Sequence, residues 1–322
     1  MKGFLKRNWF FAGIFVVILM AFGLPGLGRW VREYSLLDFG ISLAFFITGL
    51  TLETSSIGAQ LRRFAAPVAA MISSLVLIPL LASAMASITM PAEFVIGVSI
   101  IATAPVTVAS GTVMTDVGRG NVPLSLFICV LGNALAIFTI PFSLNLLLKF
   151  GGNIELPVLR MLGGLALTIL LPTVLGQLMR PLVKRKIAPY KKGFSTFQQC
   201  IVLMIIFNAV ASSADRIVQA GIGIAAVLAF MVALHSIVLV MNYAISRVIG
   251  LDRPSITAFT IHTSQKTLTV SYIVWAGYFA DEFPTALIPA IGYHLTQMIM
   301  DSIVAQRFRR AAERASGSMS TR

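Results

Sequence analysis

Long apolar runs, each closed by a short polar or basic cluster, follow one another along the whole chain. A helix needs about 20 apolar residues to cross the hydrocarbon core of a bilayer, where no other open structure satisfies its own backbone. The runs predict spans near residues 9–28, 36–54, 65–88, 93–115, 122–148, 157–179, 195–214, 220–246, 254–279 and 284–305. The first has the basic start and apolar body of a signal peptide. It carries no small-residue cleavage site after a short apolar core, so it reads as the first span.

Two spans are interrupted by polar residues. The fourth carries ATAPVTVASGTVMT from Ala102 to Thr115, where Pro105 removes an intrahelical donor and Gly111 weakens the helix. The ninth carries TIHTSQKTLTVS from Thr260 to Ser271. Proline, serine and threonine are tolerated in membrane helices, so either stretch alone has an ordinary explanation. Their matched positions carry more weight. Residues 1–150 and 151–310 each hold five spans, and an odd number makes the second set start from the opposite side of the membrane. The expectation is therefore an all-α membrane protein of ten transmembrane helices in two inverted five-helix repeats, with helices 4 and 9 broken and crossing. Residues 311–322 are small and polar and read as a disordered cytoplasmic tail.

Charge sets the orientation. Lys2, Lys6, Arg7, Arg62, Arg63, Arg119, Arg180, Lys184, Arg185, Lys186, Lys191, Lys192, Arg247, Arg253, Arg307, Arg309, Arg310, Arg314 and Arg322 fall on one side of this topology. The other side has Arg29, Arg32, Lys149, Arg160 and Arg216. Basic loops stay cytoplasmic, which places both termini there. The net charge of +13 is then a topological signal, and nucleic-acid binding is a poor explanation for it. With 57% hydrophobic and 11% charged residues, the polar remainder is too small for a separate globular domain. Cys129 and Cys200 lie inside apolar runs and suggest no disulfide framework.

Lys266 stands about halfway through the ninth span, where an ionisable group normally faces a cavity or a partner. It could pair with a substrate carboxylate, take the electrostatic role of a bound cation, carry a proton, or belong to a structural ion pair. Gln265, Ser264, Thr263 and His262 precede it, and Gln265 offers both a carbonyl and an amide. With Asn133, Asn208 and His294 they form the candidate substrate site, although His262, His235 and His294 each have a packing alternative. The deep amides Asn133, Asn208 and Asn242 could equally bind helix to helix. Asp38, Glu53 and Asp301 read as span-end carboxylates within reach of water, and Asp215 and Arg216 as a solvated external turn. No HExxH, GxSxG or phosphate loop is present, nor any Cys/His metal spacing, so an enzyme is not expected.

The motifs FFITGLTLE at 45–53, VGRGNVPLS at 117–125 and SQKTL at 264–268 give the chain a resemblance to a known family. It resembles the bile acid:sodium symporters of solute carrier family 10, most closely the branch of member 7-like proteins, over nearly its whole length. The resemblance implies a panel domain and a core domain, with ions and substrate meeting where helices 4 and 9 cross. It implies a first sodium site near Ser110, Gly111 or Thr112, Ser125, Cys129 and Gln265. The second site departs from the family pattern: Ile261 replaces a glutamate, Ser74 a glutamine, and Lys266 a position that is often asparagine. The hypothesis is that Lys266 stands in electrostatically for the sodium at that second site.

The leading expectation is a symporter for a small organic anion such as a carboxylate or sulfonate, with reduced or altered sodium coupling and no cofactor. Its partners would be the anion, sodium or a proton, and the lipid bilayer of a plasma membrane or bacterial inner membrane. Alternatives are a proton-coupled or uniport carrier, and a non-transporting membrane regulator of ion homeostasis.

Overall fold

The computed structural model describes residues 9–33, 36–52, 64–152 and 154–319, and every regular element among them is helical. The order is α1 (Trp9–Gly23), α2 (Pro25–Glu33), α3 (Leu36–Thr51), α4 (Ala65–Thr89), α5 (Ala92–Thr103), α6 (Ala109–Val117) and α7 (Val122–Gly152). Then come α8 (158–187), α9 (Lys191–Ala220), α10 (Ile222–Val248), α11 (Arg253–Ser264), α12 (Leu268–Tyr278) and α13 (Ile288–Met319). The stretches Ala65–Thr89, Val122–Lys149, Val158–Ala220 and Ile222–Val248 are long and apolar enough to cross a membrane. Phe15, Leu159, Leu182, Ile222 and Val248 stand exposed, as side chains do where lipid is the solvent.

Several sequence expectations are corrected. The first span is two helices, because Pro25 opens a new one after Leu24. The basic segment after residue 179 is helical, interrupted by a single tight turn at Ala188–Tyr190. Pro189 sits at the start of that turn, where its missing N–H costs little. Asp215 and Arg216 are exposed but helical, within α9. The segment expected to be disordered continues α13 to Met319, since AAERAS is a good helix former and Glu313 accepts from Arg119 at 3.0 Å and Arg309 at 3.1 Å. Asp301, expected near water, is fully buried. Lys2, Lys6, Arg7, Glu53, Arg62, Arg63 and Arg322 lie outside the described residues.

Two packed groups emerge. α1, α2 and α3 pack on α9, and α3 also packs along α8. Gly49 and Gly176 set the α3–α8 approach: a Cβ on either would stand 2.1 Å from a carbonyl oxygen of the other helix, at Thr173 and Phe46 respectively. Small residues at such a crossing let two backbones touch where apolar burial gives no driving force. The other group joins α4, α5, α6 and α7 to α10, α11 and α13. It contains the two interrupted helices.

Candidate functional site

The first interruption follows from covalent structure. Pro105 has no N–H and disfavours a helical residue before it, so Ala104 is extended at φ −59°, ψ 151° and α5 stops. The chain stays irregular through Thr107 and resumes as α6. The second interruption has no such cause, because SQKTL contains neither proline nor glycine. Tertiary bonds hold it open instead. Gln297 on α13 takes the Lys266 N–H on Oε1 at 2.8 Å and gives Nε2 to Lys266 O at 2.9 Å. Tyr293 OH donates to Ser264 O at 2.7 Å, and the Gln265 N–H returns to His262 O at 3.2 Å.

The two interruptions satisfy one another. Four successive carbonyls of the first each accept a donor. Ala104 O takes Lys266 Nζ at 2.9 Å, and Pro105 O takes the Thr267 N–H at 2.9 Å. Val106 O takes Asn133 Nδ2 at 3.1 Å, and Thr107 O takes His262 Nε2 at 2.8 Å. Three of these donors come from the second interruption. A buried carbonyl without a partner is costly, so this exchange makes both breaks affordable inside the protein. A carbonyl only accepts, so His262 Nε2 carries a proton. Nδ1 of the same ring is hydrogen-bonded to Ser125 Oγ. The imidazole fills the space beside Gly111, where a Cβ would come within 2.4 Å of the ring.

Thr107 links the layers. Its Oγ1 donates to Gln265 Oε1 and accepts from Ser110 Oγ at 2.8 Å and from the Gly111 N–H at 3.2 Å. Ser110 Oγ also lies 2.9 Å from Gln265 Oε1, so its single proton is shared between that oxygen and Thr107 Oγ1. The other end of Gln265 donates from Nε2 to Asp301 Oδ2 at 2.7 Å, and His235 Nε2 meets Asp301 Oδ1 at 2.9 Å. Two buried groups of opposite charge type, Lys266 and Asp301, thus flank one glutamine.

A cavity of about 350 Å³ opens beside these breaks. Its polar wall includes Thr48, Ser110, Gln198, Thr267, Thr269 and His294, and none of its described lining residues is Asp, Glu, Lys or Arg. Both helices that restart after the breaks, α6 and α12, begin at this wall, so two sets of N-terminal N–H groups border it. A second cavity of about 210 Å³ is lined by Cys129 and Asn133, and shares Phe45, Thr48 and Val108 with the first.

The candidate residues separate by place. Ser110 and His294 reach the larger cavity, and Asn133 and Cys129 the smaller. Lys266, Gln265, Ser264, Thr263 and His262 are fully buried in the crossing itself. Lys266 therefore does not present its ammonium to the larger cavity. Ser264 Oγ accepts from Asn242 Nδ2 at 2.8 Å, and Thr263 Oγ1 is buried without a partner among the described residues. Asn208 joins helices, donating to Gly28 O at 2.8 Å and accepting from Tyr272 OH at 3.1 Å. The bonds divide the suggested sodium ligands: Ser110 and Gln265 meet, Ser125 faces His262, Cys129 faces Asn133, and Thr112 turns back to Val108 O. Sequence reasoning missed Thr107, Gln297 and Asp301. His294, Gln297 and Asp301 are spaced three and four apart, on one helix face, a legible signal.

A family model describing SBF-like CPA transporters matches residues 8–310. The chain belongs to that family. Similar proteins include a probable sodium/metabolite cotransporter, chloroplastic BASS4 of Oryza sativa subsp. indica, 28% identical over 95% of this chain and 77% of the relative. Sodium/bile acid cotransporter 7-B of Xenopus laevis is 24% identical over 93% of this chain and 91% of its own length. Sodium/bile acid cotransporter 7 of Gallus gallus is 26% identical over 93% and 90%. Family and helices together make this chain a multi-pass membrane transporter, not an enzyme.

Proposed function

We propose that this transporter is a secondary carrier that moves a small organic anion by alternating access. The carrying observation is the shared polar border of the larger cavity. Two helix N-termini, at α6 and α12, meet there with hydroxyls and the Gln198 amide, and no carboxylate stands among its described lining residues to repel an anion. Helix N-termini favour negative charge and apolar walls suit an organic body. In this reading the chain forms ten spans in two inverted repeats, and the α1–α3, α8, α9 group rocks against the group that holds the crossing. Both termini are cytoplasmic, in a plasma or bacterial inner membrane, as the basic loops favour.

The printed names of the relatives make sodium the first coupling ion to test. Of the oxygens suggested for it, Gln265 Oε1 already accepts from Thr107 and Ser110, and the hydroxyl of Thr112 is turned to Val108 O, which supports altered rather than ordinary sodium coupling. A proton-coupled or uniport carrier is the second reading, favoured by the buried His235–Asp301 pair. Reconstitution into sealed liposomes tests both. Uptake of a radiolabelled small carboxylate or sulfonate is expected, and imposed sodium and proton gradients separate the couplings. Folded protein that moves no member of an organic-anion panel under either gradient would overturn the carrier reading.

A further inference from the structure

Lys266 carries its side chain into a socket of three oxygens. Nζ donates to Ser74 O at 2.6 Å, Ala104 O at 2.9 Å and Ser74 Oγ at 3.1 Å, and the residue is fully buried. Each carbonyl is free for a covalent reason. In the wide turn Ser73–Leu77 of α4, the Ile78 N–H goes to Ser73 O. The next donor, at position 79, is missing because Pro79 has no N–H, which leaves Ser74 O without a ladder partner. Ala104 closes α5 ahead of Pro105, so its carbonyl also lies beyond the helix ladder. Carbonyls released at broken helices, with a hydroxyl beside them, are the oxygen type that holds small monovalent cations in carriers. The buried Asp301 carboxylate, bonded to Gln265 next in the chain, adds a reason for positive charge at this depth.

We infer that Ser74 O, Ser74 Oγ and Ala104 O form a monovalent-cation site that the chain fills with its own tethered ammonium, and that shortening Lys266 hands the site to sodium. This holds whatever solute the cavity carries. Lys266→Ala leaves three buried oxygens unpaired and opens room for water to complete an ion's shell. Lys266→Met fills the same space with an apolar stem.

The test is thermal unfolding of purified wild type and variants in sodium, potassium or choline chloride at equal ionic strength, with direct binding of radioactive sodium. The Lys266→Ala midpoint is expected to rise by roughly 3 °C at ten times the sodium Kd. Wild type and Lys266→Met should lack that increment. If Lys266→Ala does not accumulate, Lys266→Ser keeps one hydroxyl in the socket and should show the same gain. An equal sodium response in wild type or Lys266→Met overturns the inference, as does a folded Ala or Ser variant that binds none. Neither readout needs solute uptake, so failure of the carrier reading would not be mistaken for failure here.

Discussion

Replacing Gln297 by leucine isolates what holds the second interruption open. Leucine is close to glutamine in volume, so packing changes little, but both bonds to Lys266 backbone are lost together with the contact to His294 Nδ1 at 3.1 Å. Gln297 is fully buried, so no water replaces it. An orphaned buried donor or acceptor costs about 1–3 kcal/mol, so the two backbone groups together cost about 2–6 kcal/mol. At about 2 °C per kcal/mol for a large domain, the unfolding midpoint in detergent should fall by about 4–12 °C. The same variant should speed hydrogen exchange at the Lys266 amide, which a general loss of packing would not single out. A midpoint within about 2 °C of wild type, with that amide still protected, would refute the claim that Gln297 maintains the break.

Gly49→Ala puts a methyl 2.1 Å from Thr173 O, so α3 and α8 must part; a loss of about 1–3 kcal/mol should appear as a lower midpoint. Val108→Trp enlarges the wall common to both cavities and should cut uptake in liposomes by at least tenfold while the midpoint stays near wild type. Thr107→Val keeps shape but removes the hydroxyl that joins Gln265, Ser110 and Gly111. It should lower stability by about 1–3 kcal/mol and reduce uptake per folded molecule.

The long apolar helical stretches are legible because bilayer thickness sets the length of an apolar run, and Pro105 announces the first interruption by its missing N–H. The second was readable only as an oddly polar stretch, since nothing local breaks SQKTL; the cause lies in Gln297 and Tyr293, some 30 residues away. Lys266 was conspicuous as a charge in an apolar run, but its partners Ser74 and Ala104 are more than 160 residues distant and no spacing rule reaches them. Asp301 reads as hydrated from its nearness to a span end, yet it is fully buried against His235 and Gln265. Burial by α10 and α11 decided it instead. The basic segment after residue 179 reads as a polar connection because of its charges and prolines, whereas Leu182, Lys184, Arg185 and Lys186 continue the helix past Pro181.

The exchange between the two breaks also has a consequence in time. The carbonyls of Ala104 and Thr107 wait for donors that lie 162 and 155 residues later in the chain. At a synthesis rate of about 5–20 residues per second, that interval lasts roughly 8–30 s. During it the newborn first half sits in the membrane with its broken helix unfinished, sheltered by whatever water or insertion machinery is at hand. The crossing is completed only when α11 and the residues after it emerge, so a ribosome that stops before them leaves a fragment that cannot close its own polar seam.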